Sequence, residues 1–120
     1  PLEDLRETAP RSRDALYAGN FDALGAAMSA NTEAQRCLHP ALVSRNADRV
    51  IEIARAHGAI GWKVNGAGGE GGSLTLLCGP RSDVKRTMLR EIEQENGLFK
   101  NIPIYLSRFG LRVWKQECSA

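Results

Sequence analysis

The sequence predicts an α+β domain, an antiparallel sheet with helices packed on one face. Three observations carry this reading. Apolar residues recur at helical spacing through the first half of the 120 residues. The period then drops from 3.6 to 2 in Ile60-Trp62-Val64, and alternation returns in Leu74-Leu76-Cys78. Between these two runs lie five glycines in seven residues, Gly66 to Gly72, which reads as the connection of a hairpin.

Each element has its own signals. Residues 1–19 read as an N-terminal helical extension, with Pro10 expected to break or restart the helix and Gly19-Asn20 to punctuate it. The core is expected over residues 20–115. Asn20 suits an N-cap, and Phe21, Leu24, Ala27 and Met28 follow as one apolar face. Pro40 marks a turn. Ser44 or Asn46 can cap the next helix, whose stripe is Ala47, Val50, Ile51 and Ala54 and which Gly58 ends. After the hairpin, Gly79-Pro80 turns the chain. Ser82 is the candidate cap of a helix carrying Val84, Met88, Leu89 and Ile92 that stops at Gly97. "NIPIYLS" and "LRVW" read as two further strands, joined through Arg108, Phe109 and a positive-φ Gly110. The order helices, β-β, α, β-β points to a ferredoxin-like or split βαβ arrangement.

Composition narrows the function classes. A chain of this length makes one domain, and 42% hydrophobic with 25% charged residues is ordinary for a globular protein. A net charge of +2, with basic residues dispersed, argues against nucleic acid or an anionic membrane as partner. No apolar run approaches the ~20 residues a membrane span needs. Cys37, Cys78 and Cys118 are far apart and show no Cys-x-x-Cys or Cys/His spacing, so no metal site is expected and free thiols in a cytoplasmic protein are.

The glycine segment fits two physical readings. Glycine lets consecutive backbone N–H groups face an anion because no Cβ blocks the approach. Glycine also serves a close-packed turn. The spacing is not that of a P-loop, since no Gly-Lys-Ser/Thr follows. Gly66-x-Gly68-x-x-Gly71 matches a dinucleotide fingerprint only formally, because a strand follows where that motif needs a helix. A carboxylate repels a phosphate, so Glu70 must point away, hold a cation, or count against the phosphate reading.

"ARAHGAIGWKVNGAGGEGGSLTLLC" resembles the third motif of the galactokinase, homoserine kinase, mevalonate kinase and phosphomevalonate kinase (GHMP) superfamily. That motif reads Gly-Ala-x-Gly-x-Lys-x-x-Gly-Ala-Gly-x-Gly-Gly before an apolar strand. Here Gly58, Ala59, Gly61, Lys63, Gly66, Ala67, Gly68, Gly69, Gly71 and Gly72 fill it. The segment "GNFDALGAAMSANTEAQRCLHPALVSRNADRVIEIA" is similar to the helical part of the family's C-terminal domain. "IPIYLSRFGLRVW" looks like the end of the sugar and heptose 7-phosphate kinase branch. The resemblance runs from about Leu16 to Trp114.

It implies the C-terminal domain of an ATP-dependent kinase acting on a sugar or sugar phosphate. Gly66, Ala67, Gly68, Gly69, Gly71 and Gly72 would form the phosphate and substrate loop, with Lys63 and Asn65 in support. The family's ATP-phosphate loop (Pro-x-x-x-Gly-Leu-Gly-Ser-Ser) and its catalytic region do not occur in these residues. The resemblance therefore implies a missing N-terminal kinase domain as partner, ATP and Mg²⁺ as cofactors of the full-length enzyme and none on this chain alone, no catalytic residue here, and an uncovered face able to self-associate. Glu70 stands where many members have Gly, and Asn65 where many have Thr or Ser. The competing reading is a non-enzymatic ferredoxin-like module for dimerisation or ligand sensing.

Other candidates have plainer readings beside the functional ones. Ser29, Asn31 and Thr32 either line a substrate cleft or form a polar helix end. His57 is read as a helix C-terminal residue and His39 as a loop residue. Trp62, Phe109 and Trp114 are read as packing aromatics, because the basic aromatic pattern of an RNA-binding sheet is missing.

Overall fold

The computed structural model describes residues 1–118; Ser119 and Ala120 lie outside the described residues. In chain order the elements are α1 (Leu2–Tyr17), α2 (Phe21–Leu38), a 3-10 turn (Pro40–Leu42), α3 (Arg45–Ala56), β1 (Gly61–Val64), β2 (Leu74–Leu77) and α4 (Ser82–Glu95). The α+β class is as the sequence predicts. Asn20 caps α2 by accepting from the Ala23 N–H at 3.0 Å. Ser44 caps α3 by accepting from Ala47 N–H at 3.1 Å, which leaves Asn46 inside the helix. Gly58 follows the α3 C-cap His57 with φ +78°, the left-handed position that ends a helix.

β1 and β2 pair antiparallel with Gly61 opposite Leu77 and Val64 opposite Leu74. Ile53 and Ala54 of α3 and Met88 and Ile92 of α4 form the buried core, and Leu76 and Cys78 pack against it from the sheet side. Arg49 holds Glu95 at 2.7 Å, and the His57 ring meets Glu91 at 3.1 Å, so α3 is fastened to α4 at two places. α1 lies against α2, where Asn31 Nδ2 donates to the Thr8 hydroxyl at 2.7 Å.

α2 is bound to β1 in an unusual way: it runs along the strand's outer edge. The Thr32 hydroxyl, fully buried, donates to the Trp62 carbonyl and accepts from the Val64 N–H, each at 3.2 Å. It occupies the place where another strand's peptide would pair, so the edge carries no bare polar groups there. Two glycines allow this approach. A Cβ on Gly25 would overlap the Ile60 carbonyl oxygen and lie 2.7 Å from its carbon. A Cβ on Gly61 would meet the Gly25 carbonyl oxygen at 2.7 Å.

Several expectations are corrected. Pro10 does not break α1, which continues from Leu2 to Tyr17. Proline removes one N–H, and the carbonyl it deprives belongs to exposed Arg6, where water can replace the bond. Ser82 is the first residue of α4 and not its cap; Arg81 holds the cap position without a side-chain bond and pairs with Asp83 at 2.7 Å. The end of α4 is as expected: its C-cap is Asn96, Gly97 follows, and the Asn96 side chain accepts from Leu98 N–H at 2.9 Å. Phe21 is exposed, and the inward line of α2 is Gly25, Thr32 and Gln35 with Ala27.

The strands read in "NIPIYLS" and "LRVW" are not formed: residues 101–118 contain no helix or strand. The predicted bend is present, with Gly110 at φ +64° and Ser107 Oγ donating to its carbonyl at 3.3 Å. No ladder backs it, and an alternating apolar pattern forms a strand only where something pairs with it. Ile104, Tyr105, Leu106, Leu111 and Val113 are each more than three-quarters exposed. The radius of gyration is 16.3 Å, against about 14 Å for a compact chain of this length, which reflects this extended arm.

Two tests follow from the α2–β1 contact. Gly25→Ala is expected to lower stability by about 1–3 kcal/mol or more, while Gly79→Ala, whose Cβ would enter open space, stays within about 0.5 kcal/mol; urea unfolding measures both. Thr32→Val keeps the shape but strands the Trp62 carbonyl and Val64 N–H, at an expected cost of about 1–3 kcal/mol. Equal unfolding midpoints for Thr32→Val and the wild type would show that the hydroxyl clamp contributes nothing.

Candidate functional site

The glycine-rich loop leaves β1 at Asn65 and enters β2 after Ser73. Its neck is closed by hydrogen bonds. Asn65 N–H donates to the Ser73 carbonyl at 3.0 Å, and Asn65 Nδ2 reaches the Ser73 and Thr75 hydroxyls, both at 3.0 Å. Asn65, the candidate supporting residue, thus ties the base of the loop. Ser73 and Thr75 complete that tie and were not singled out in the sequence, where they read only as the polar face of a strand.

Beyond the neck the chain turns through positive φ at Gly66, Gly68, Gly69 and Gly72. Gly68 shows why glycine is required. Its φ is +64°, and a Cβ there would overlap the Leu42 carbonyl and lie 2.8 Å from Val64 Cγ1. The loop is therefore pressed against the 3-10 turn that precedes α3. Among the described residues, none of the N–H groups of Gly66, Ala67, Gly68, Gly69, Glu70, Gly71 or Gly72 donates to a protein acceptor. Residues 66–67 and 69–70 are turns, and the loop between them and its neck presents its remaining N–H groups without a close protein acceptor among the described residues.

Lys63 lies at the foot of this loop. Its Nζ donates to Gln35 Oε1 at 3.0 Å and contacts the Val64 carbonyl. Burial pushes the ammonium below its ordinary pKa, and among the described residues no carboxylate counters that effect. Gln35 is a second residue that sequence reasoning missed; a glutamine in a helix reads as solvated, but this one is buried and its Nε2 donates to the Gly66 carbonyl at 2.7 Å. The only signal available was its spacing, three residues after Thr32 on the same α2 face.

Glu70 faces a different direction from the foot of the loop. With Pro40, Ala41, Val43, Ser44, Arg45 and Asn46 it lines an open depression of about 380 Å³ at the N-terminus of α3, where a carboxylate is favoured by the helix dipole. A second depression, of about 220 Å³, lies by His57, Cys78 and Lys85. Burial pushes the Cys78 thiol up, against the opposing charge of Lys85.

The remaining candidates take structural roles. Ser29 Oγ donates to the Gly25 carbonyl, Asn31 to Thr8 and Thr32 to β1, so all three are committed inside the fold. His57 is the α3 C-cap and His39 the cap of the 3-10 turn. Arg55 lies over the Trp62 ring at 5.6 Å, while Phe109 and Trp114 are exposed on the arm. No helix is long and apolar enough to cross a membrane among the described residues.

The arrangement can receive an anion through backbone N–H groups and one ammonium. No curated protein matches the chain. A family profile described as "GHMP kinases C terminal" matches residues 12–96, which include α2, α3, both strands, the whole loop and α4.

The loop's packing gives a direct test. Gly69→Ala forces a left-handed φ into open space, at an expected cost of about 1–2 kcal/mol. Gly68→Ala adds the overlap with Leu42 and is expected to cost more than Gly69→Ala by a further 1 kcal/mol or about that. The order of their urea midpoints checks the loop's seat on the 3-10 turn; a reversed order would show that Gly68 is not pressed against it.

Proposed function

The chain belongs to the GHMP kinases C-terminal family, and on that premise we propose that it is the C-terminal domain of an ATP-dependent small-molecule kinase whose acceptor is a sugar or sugar phosphate. Gly66 to Gly72 form one wall of the phosphate and substrate site. An N-terminal kinase domain supplies the other wall, with the ATP-phosphate loop and the catalytic groups. The sugar and heptose 7-phosphate branch is the source of the acceptor assignment, through "IPIYLSRFGLRVW".

The observation that carries this reading is a glycine-rich loop whose N–H groups make no close hydrogen bond to a protein acceptor among the described residues, beside the Lys63 ammonium, which no described carboxylate counters. Such donors fit phosphate oxygens, whose charge they meet without a bulky side chain. ATP, when bound, supplies the phosphoryl group. The chain's own part is positioning: Lys63 adds positive charge at the foot of the loop, Asn65 fixes the neck, and Glu70, turned toward α3, leaves the donors unopposed. Positioning and charge stabilisation dominate phosphoryl transfer. The loop does not fit Mg²⁺, because Glu70 is its sole carboxylate and a magnesium site needs several hard oxygen ligands. That ion belongs to the other wall.

The exposed arm favours a second feature of the same reading, an apolar surface that packs on the N-terminal domain or, in its absence, on another copy.

The test is a panel of sugars and sugar phosphates assayed for ATP-dependent phosphorylation. The 120-residue chain alone is expected to give no turnover, and the same chain joined to its N-terminal domain is expected to be active. In the joined protein Gly68→Ala should lower kcat by at least about tenfold, since a misplacement of about 1 Å can cost up to about a hundredfold. Turnover by the 120-residue chain alone, or an unchanged kcat in Gly68→Ala, overturns the assignment.

A further inference from the structure

Gln35 makes two contacts of opposite kind. Its Oε1 accepts from Lys63 Nζ at 3.0 Å and its Nε2 donates to the Gly66 carbonyl at 2.7 Å. The amide cannot be reversed, since an ammonium only donates and a carbonyl only accepts. Gln35 is 7% exposed, so both bonds form where an unpaired polar group is costly. Thr32, one helical turn earlier, locks the same face of α2 to β1.

The bond to Gly66 has a consequence for the next residue. In a trans peptide the C=O and N–H of one plane point in opposite directions. Holding the Gly66 carbonyl toward α2 therefore aims the Ala67 N–H away from α2. That N–H is the first of the loop's donors to come from a peptide plane held by a side chain. The other end of Gln35 fixes where the Lys63 charge sits. A neutral amide does this without cancelling the charge. Glutamate at this position would pair with Lys63, but it would neutralise the ammonium and repel the Gly66 carbonyl. An aliphatic side chain would release both groups.

We propose that Gln35 is the positioning residue of the glycine-rich loop, setting the Lys63 ammonium and the Gly66–Ala67 peptide plane in one fixed relation to receive phosphate oxygens. The inference rests on the phosphate reading of the loop, but its structural half is measurable without any ligand.

The test uses the full chain and ¹⁵N–¹H spectra of the wild type, Gln35→Glu and Gln35→Met. At pH 7 both variants are expected to displace the Gly66, Ala67 and Gly68 amide signals while those of α3 and α4 stay in place. The Lys63 ammonium holds a carboxyl at this position below the ordinary glutamate pKa of about 4.3, so the spectra are followed down to about pH 2.5, where the Gln35→Glu carboxyl takes up a proton and can again donate to Gly66. Its loop signals should then return to wild-type positions at that pH, whereas those of Gln35→Met should not. A merely space-filling role would not produce a protonation-dependent rescue. Wild-type loop signals in Gln35→Glu at pH 7, or no return at low pH, overturn the proposal.

Titration with inorganic tripolyphosphate at pH 7 separates the two readings. Binding at the loop is expected to weaken at least about tenfold in Gln35→Met, which is about 1.4 kcal/mol. Equal affinity in wild type and Gln35→Met overturns the positioning of Lys63 and Ala67 for an anion. A wild-type loop that does not respond overturns the phosphate reading instead, and the ligand-free spectra still decide the role of Gln35.

Discussion

The rest of the structure depends on the close contact of α2 with the outer edge of β1. From Gly25 to Gln35 the helix advances ~15 Å at 1.5 Å per residue, and from Ile60 to Gly66 the chain advances ~20 Å at about 3.3 Å per residue. The two run side by side in the same direction and are joined in three steps. Gly25 meets Ile60 and Gly61, Thr32 meets Trp62 and Val64, and Gln35 meets Lys63 and Gly66. A two-stranded hairpin alone is marginal in water. Here one edge is closed by a helix and one face by the α3–α4 core, so the hairpin has a fixed place in the fold.

The same contact determines how the loop is presented. A nine-residue connection rich in glycine would carry a large conformational entropy if it were attached only at its ends. It is held at more points than that: Asn65 to Ser73 and Thr75, Gly66 to Gln35, and Gly68 against Leu42. The entropy lost at these positions is offset during folding, before any ligand arrives, and this is the condition under which backbone donors act as a preorganised site. The stretch Gly69 to Gly72 is left with fewer contacts, and it is there that Glu70 turns toward the N-terminus of α3.

What the sequence revealed and what it concealed divide along a physical line. Periodicity and caps are local, so α2, α3, the hairpin and the Asn20 and Ser44 caps were legible from the residues themselves. Pro10 misled because the effect of proline depends on whether the carbonyl it deprives is buried or wet. Ser82 misled because α4 begins at Ser82 itself, which leaves the cap position to Arg81. Thr32 and Gln35 were illegible for another reason. A polar residue in a helix reads as solvated until the strand edge beside it is known, and that neighbour lies about thirty positions along the chain. The glycine motif was readable as a pattern, while the partners that hold it were not.

The arm is the place where the sequence pattern and the structure disagree most, and the disagreement is informative. Ile102, Ile104, Tyr105, Leu106, Phe109, Leu111, Val113 and Trp114 are all at least 65% exposed. Fully burying a large apolar side chain stabilises by about 1.5–3 kcal/mol. Covering even half of these would therefore contribute roughly as much as the ~5–15 kcal/mol that holds a whole domain together. The alternation in Ile102-Ile104-Leu106 is that of a half-buried strand, so the pattern records a burial that these residues do not find within the described chain. The other edge of the sheet, along β2, is likewise without a strand partner among the described residues. A strand pattern without a pairing edge and an edge without a strand are the two features expected of a domain whose core is completed by contacts outside itself. On the proposed function the glycine loop, fixed at its base by Asn65 and Gln35, has the same character: its N–H donors would be met by groups from outside this chain.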